Sequence, residues 1–215
     1  VSSVLVENGE AKGVRLANGE ENSSFIVVSN ADPKRTFTSL LQPEEVGEDT
    51  IKRVNRWKTK AGCVKFLAAM KELPDLSRYL GAGYDRGSIL SLRVMPSVEY
   101  QLQSWDDAVA GKPTSCPIMS MQMTSTVEPN LVRGEGHVMS NWVLFETPDL
   151  KDGTWNDARE EVGEQIIDAI TEYAPNFRDS LVDWTVQTPE DIETRVGMTD
   201  GNIRHLDILP QQMFA

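Results

Sequence analysis

The chain is short of the residues from which catalytic and metal sites are usually assembled. Its 215 residues include two cysteines and two histidines. Cys63, Cys116, His137 and His205 fall at spacings that no zinc site uses, so no metal is expected. There is no C-x-x-C pair and no G-x-S-x-G, and nothing around either cysteine marks a nucleophile. Positive charge is scarce too: 21 Lys and Arg stand against 33 Asp and Glu, a formal net charge of −12. Such a surface repels phosphates, which excludes nonspecific binding to nucleic acid or anionic membrane. Lys34-Arg35 and Lys52-Arg53 are the only adjacent basic pairs. No apolar run approaches the roughly 18 residues that a membrane span needs, although peripheral contact with a membrane stays open. No signal-peptide pattern is visible, and two unspaced cysteines read as reduced core residues of a cytoplasmic protein.

What is present is a globular composition, 40 % hydrophobic and 25 % charged, in a chain long enough to bury a sizeable core. Val1 opens directly on a strand pattern, which reads as a fragment of something longer. Three apolar runs, Val4–Val6, Gly13–Leu16 and Phe25–Val28, are separated by Asn8-Gly9 and Asn18-Gly19. Asn-Gly tolerates positive φ at both turn positions, so residues 1–32 predict a three-stranded antiparallel meander. Beyond it the pattern becomes mixed. Helices are predicted from Pro33 to about Leu41, over Glu44–Trp57 and over Asp75–Leu80. Ser97 can cap a helix whose Val98, Leu102, Trp105 and Val109 share one face. A long helix starts at Thr154, with Asp157 as capping carboxylate and Trp155, Ala158, Val162, Ile166, Ala169, Ile170 and Tyr173 on one stripe. Pro189 opens a last helix to about Arg195. Strands are predicted at Gly62–Met70, Ser88–Val94, Ile118–Thr124, Gly136–Phe145 and Asp183–Gln187. The fold class is therefore α+β, a mixed, mainly antiparallel sheet covered by helices.

Few stretches suggest chemistry. Gly81-Ala82-Gly83-Tyr84-Asp85-Arg86-Gly87 resembles a dinucleotide loop, but its third glycine is a residue late and the preceding segment reads as helix. A phosphate grip needs strand, turn and helix in that order, so an ordinary loop is the better reading. Met119, Met121 and Met123 alternate with Ser120 and Gln122, which puts the three methionines on one face of a strand. That face is either core or the wall of a pocket for a long apolar ligand, and core is the commoner use. Glu160-Glu161 reads as a solvated helix face. A lone histidine such as His137 or His205 is more often structural than functional.

Several stretches, in order, resemble the phytoene desaturase-like FAD oxidoreductases, and within them the pyridine nucleotide-disulfide oxidoreductase-like branch. "VENGEAKGVRLANGEENSSFIVVSNADPKRTF" is similar to the three strands that return from the flavin domain. "VEPNLVRGEGHVMSNWV" is similar to a strand entry of that family, and "WNDAREEVGEQIIDAITEYAPNF" to the long helix after it. "TPEDIETRVGMTDGNIRHLDILPQQMF" resembles its Gly-Asn-Ile-x-His segment, followed by Gln and an apolar pair. Glu128 stands where the family usually has Asp, Val132-Arg133 replaces Ala-Pro, and Arg204 and Leu206 flank His205 where aromatic and Gly residues are common. The resemblance implies that residues 1–32 belong to an FAD-binding domain and residues 33–215 to the substrate-binding domain. It implies hydride transfer from an apolar small molecule to FAD, with the main flavin-binding segments in the rest of the parent chain, so that this fragment alone neither holds FAD nor turns over. His205 is then the candidate catalytic residue. Asn202, Met119, Met121 and Met123 are candidate substrate contacts, and Val1, Asn30 and Ala31 lie beside the cofactor. The competing reading is a stand-alone ligand-binding or protein-interaction module without redox chemistry.

Overall fold

The computed structural model describes residues 1–213, so Phe214, the second of the apolar pair in the last motif, lies outside the described residues. The chain opens with a small antiparallel sheet of β1 (Ser3–Glu7), β2 (Glu10–Arg15) and β3 (Glu21–Ser23), in that order. Asn8 and Gly9 take φ of 52° and 78°, the two positive values that a tight hairpin needs. The third strand lies earlier than the apolar run Phe25–Val28. Residues 16–20 turn tightly enough to set Arg15 against Glu21 and Gly13 against Ser23. Beyond Ser24, which still bonds to Lys12, the chain leaves the sheet, and Phe25, Ile26 and Val28 are exposed.

Three helices follow. Asp32 caps α1 (Pro33–Ser39) by accepting from the Arg35 N–H at 2.9 Å, and Pro33 supplies a pre-set φ at its start. The helix predicted over Glu44–Trp57 is two, α2 (Pro43–Val46) and α3 (Glu48–Arg56), because Gly47 sits at φ 87° and breaks the hydrogen-bond ladder between them.

The remaining elements are β4 (Gly62–Met70), α4 (Ser77–Leu80), β5 (Ser91–Val94), α5 (Val98–Val109), β6 (Ile118–Gln122), β7 (His137–Glu146), α6 (Trp155–Tyr173), α7 (Phe177–Ser180), β8 (Leu181–Gln187), α8 (Pro189–Val196) and α9 (Pro210–Met213). The five strands form one antiparallel sheet in the order β5-β6-β7-β4-β8, with β4 bonded on both sides. This is the α+β architecture expected: antiparallel sheets, one of them backed by helices.

The two faces of the larger sheet differ. Val64, Phe66, Ala68 and Met70 of β4, Met119 and Met121 of β6, Met139 and Val143 of β7 and Val186 of β8 point to one side and are buried. Helix α6 seals that side with Trp155, Val162, Ile166, Ile167 and Ile170. Its start is the capping box expected, Thr154 and Asp157 each accepting from the other's backbone N–H. Gly163 allows a close approach: a Cβ there would stand 2.1 Å from the Trp184 ring, which in turn stacks on Phe66. Asn141 also faces this core, opposite Phe66 and Met121, with neither amide atom hydrogen-bonded among the described residues.

Helix α5 forms as predicted, with Ser97 accepting from the Tyr100 N–H. Its apolar stripe does not enter the core. Val98, Leu102 and Val109 are largely exposed, and Trp105, partly exposed, meets Phe145 edge-on at 5.7 Å. The helix turns Ser104 inward instead, where it bonds to Thr114 at 3.0 Å.

Candidate functional site

The site follows from the pleat of the sheet. Side chains one residue out of step with the core point to the opposite face, and there no α-helix among the described residues covers them as α6 covers the core. Lys65, Leu67 and Ala69 of β4, with Val138, Ser140 and Trp142 of β7, are half-buried rather than buried. A groove of about 410 Å³ opens on this face, lined by Leu67, Ala69, Leu131, Val138, Ser140 and Thr185 among others, with Asp183 on its rim. That volume is in the range of small-molecule sites, and the lining is apolar with a few hydroxyls.

Lys65 lies one rung beyond the groove. It is opposite Trp142 on one side and Gln187 on the other, and its ammonium sits 3.9 Å from the centre of the Trp142 ring. Burial pushes its pKa down to about 8, while the ring face draws the cation in. Further along β4 is Cys63, whose thiol burial pushes up to about 12, opposed by the nearby Arg204 guanidinium and a hydrogen bond from the Ile203 backbone. The 203–204 segment therefore closes that end of the face.

The segment is tied down by carboxylates and amides. Asp207 accepts from Ala61 N–H at 2.8 Å, and Asn202 donates to Asp207 at 2.9 Å and to the Thr59 carbonyl at 3.2 Å. Asp200, at φ 57°, accepts from Thr59 and from Lys60, and these partners hold its carboxyl below the usual range despite burial. Asp32, besides capping α1, accepts from the Thr199 N–H and hydroxyl.

The residues singled out from the sequence fall in three places. Met119, Met121 and Met123 are all buried under α6, and the cavity that touches Met121 and Met123 is about 10 Å³, room for about one water. They pack the core in this conformation, and the roomier cavity is on the other face. Asn202 is buried with both ends of its amide engaged, the oxygen accepting from Arg204 N–H at 2.9 Å. His205 is half-buried beside it, at φ 68°, and its N–H donates to the Asn202 carbonyl. Neither lines the groove. Val1 and Asn30 are exposed, and Ala31 accepts from the Thr36 hydroxyl at 3.3 Å just ahead of α1. Lys65 and Trp142 escaped the sequence reading, although a lysine inside the apolar run GCVKFLAAM was a visible break in pattern.

The diphosphate of FAD needs a helix N-terminus with free N–H groups behind a strand and a glycine turn. Here α1, α6 and α8 have their N-termini occupied by Asp32, Asp157 and Asp191, and α3 begins with Glu48 and Asp49. Helix α5, which follows β5 through Met95-Pro96-Ser97 without a glycine, is capped by Ser97 and carries Glu99 in its first turn. The loop at Gly81–Gly87 follows α4 rather than a strand. The described residues do not fit the diphosphate.

The molecule is thus a helix-backed antiparallel sheet whose bare face carries an apolar groove. No family model matches the chain. It is similar to pyridine nucleotide-disulfide oxidoreductase domain-containing protein 2 of Rattus norvegicus, at 29 % identity over 212 residues, covering 95 % of this chain and 36 % of that protein. A partial match, 44 % identical over 59 residues, is to the phytoene desaturase (neurosporene-forming) of Cereibacter sphaeroides, covering 26 % of this chain and 11 % of that protein. An oxidoreductase from Methanosarcina mazei shares the fold, with a TM-score of 0.50 at 17 % identity over 87 % of this chain and 36 % of the other. The chain spans little more than a third of the rat protein. No helix among the described residues is long and apolar enough to cross a membrane.

Proposed function

We propose that this chain is the substrate-binding part of an FAD-dependent oxidoreductase of the desaturase or amine-oxidase type, and that an apolar small molecule lies in the groove on the open sheet face. The observation that carries the reading is the groove itself: about 410 Å³, mostly apolar, on a sheet whose other face is filled. The redox class rests on the similarity to oxidoreductase-type proteins along nearly the whole chain. When bound, FAD supplies the hydride acceptor. The residues here position the substrate and keep water away from it. The flavin is held by other segments of the longer protein, whose FAD-binding domain is the partner that covers the open face. In this reading residues 1–32, whose sheet shares no strand with the larger one, belong with that domain, and residues 33–215 form the substrate domain. The compartment is the cytoplasm, on the ground of its two unpaired thiols.

A neutral apolar dye, Nile red, tests the groove. Its fluorescence should rise saturably with the purified chain, fall on adding decan-1-ol, and be lost in Ala69→Trp, which fills the groove from its floor. Met121→Leu, on the sealed face, should leave it unchanged. Dye binding that survives Ala69→Trp would refute the groove as the site. Titration with FAD should give no quenched, yellow complex at micromolar concentration, and such a complex would show that the chain grips the flavin itself.

A further inference from the structure

We propose that the groove takes apolar molecules that end in an anionic group, a carboxylate above all, and that Lys65 receives that group. The inference rests on the groove being the binding site. Its starting point is an imbalance of charge. The protein has twelve more acidic than basic side chains, yet of its 21 Lys and Arg only Lys12, Arg15, Lys52, Lys60, Arg86, Arg159 and Arg178 have a carboxylate within 4.0 Å among the described residues. Lys65 is one of those without such a partner, and it is half-buried on β4, the strand between β7 and β8. A cation partly shielded from water without a counter-ion is disfavoured, and an anionic ligand would offset that cost. Trp142 compensates in part, but contact with a ring face leaves the ammonium's N–H donors unspent.

The place fits the chemistry. Lys65 and Leu67 point to the same face two residues apart, roughly 7 Å along the strand. A chain lying over Leu67 and Ala69 therefore brings one end to the ammonium. Charge sets which end. Arg204 adds a second positive group beyond Lys65, near Cys63, whereas Asp183 stands on the groove's rim opposite Ala69. An anionic head is drawn to the Lys65 end and repelled from the other, so the ligand lies in one direction only.

Calorimetric titration of the chain with decanoate, decan-1-ol and decyltrimethylammonium, each below its micelle-forming concentration, tests this. Decanoate should bind at least about tenfold more tightly than decan-1-ol, about 1.4 kcal/mol, with the cation weakest. Lys65→Met should bring decanoate down to the level of decan-1-ol without changing the latter, and Lys65→Arg should keep the preference. Equal affinity of the wild-type chain for decanoate and decan-1-ol overturns the role of Lys65 and leaves the groove standing. So does a preference that survives in Lys65→Met. Failure of the wild-type chain to bind either compound refutes the groove, and with it this inference.

Discussion

Phe66 and Leu67 are neighbours in one strand, yet they live in different environments. Phe66 is wholly buried between Trp184 and the residues of α6, and Leu67 lines a groove that opens to solvent. The same is true of Val143 and Trp142, and of Met139 and Ser140. A strand turns alternate side chains to opposite faces, so one set of residues can hold the sheet to its helix while the other remains free to bind. Stability and recognition are thereby separated by a single residue step, and substitutions on the two faces should have different consequences.

The largest contrast is between truncations at these two positions. Phe66→Ala should cost about 3–5 kcal/mol in urea unfolding, since it leaves a cavity that α6 cannot close. Leu67→Ala should cost less than Phe66→Ala, in keeping with a side chain that is partly exposed already, yet weaken Nile red binding. Equal costs would mean that the open face is as tightly packed as the sealed one.

Next is Glu146, a carboxylate carried into the buried layer at the end of β7, where it accepts from the Thr114 N–H at 3.2 Å. Burial pushes its pKa up to about 8. The fold therefore favours the protonated form: the contribution is fully present below the ordinary carboxylate range and is lost as pH rises through about 8. Glu146→Gln keeps the acceptor and cannot ionise. It should change stability little near pH 4.5 and raise it by about 1–3 kcal/mol at pH 8. A stability difference independent of pH would show that the carboxylate is not desolvated.

Asn141 is the polar exception on the sealed face. Replacing an unpaired buried amide by a side chain of like size that needs no partner should be stabilising, so Asn141→Leu should gain about 1 kcal/mol in thermal or urea unfolding. A loss of similar size would reveal a polar partner for the amide.

The smallest effect is expected at Lys65. Its folded pKa, about 8, lies below the ordinary value, so the folded form binds fewer protons between about 8 and 10.5 and wild-type stability should rise over that interval. Lys65→Met should therefore lack this rise and, at pH 7, be no less stable than wild type, because the charged ammonium is there the disfavoured form. A cost of several kcal/mol would make Lys65 a part of the structural core.

Much of this molecule was legible in its sequence because the determining physics is local. Asn8-Gly9 demands positive φ at both positions, and it makes the hairpin. Thr154 and Asp157 satisfy the first N–H groups of α6 from three residues apart, and the stripe from Trp155 to Ile170 follows the helical period. The strand Gly62–Met70 needed only its apolar run and its flanks. None of these depends on a distant residue. Tertiary structure decided everything that does. Periodicity marks α5 and α6 as amphipathic alike, but only packing leaves Val98, Leu102 and Val109 outside and seals Ile166 and Ile170 within. The alternation of Met119, Met121 and Met123 puts them on one face; that the face is core was settled by which side α6 covers. Asn202 is held by Thr59 and Asp207, and Lys65 meets Trp142, because strand pairing brings together residues far apart in the chain. Local sequence sets φ, ψ and period, whereas burial and contact depend on where the rest of the chain goes.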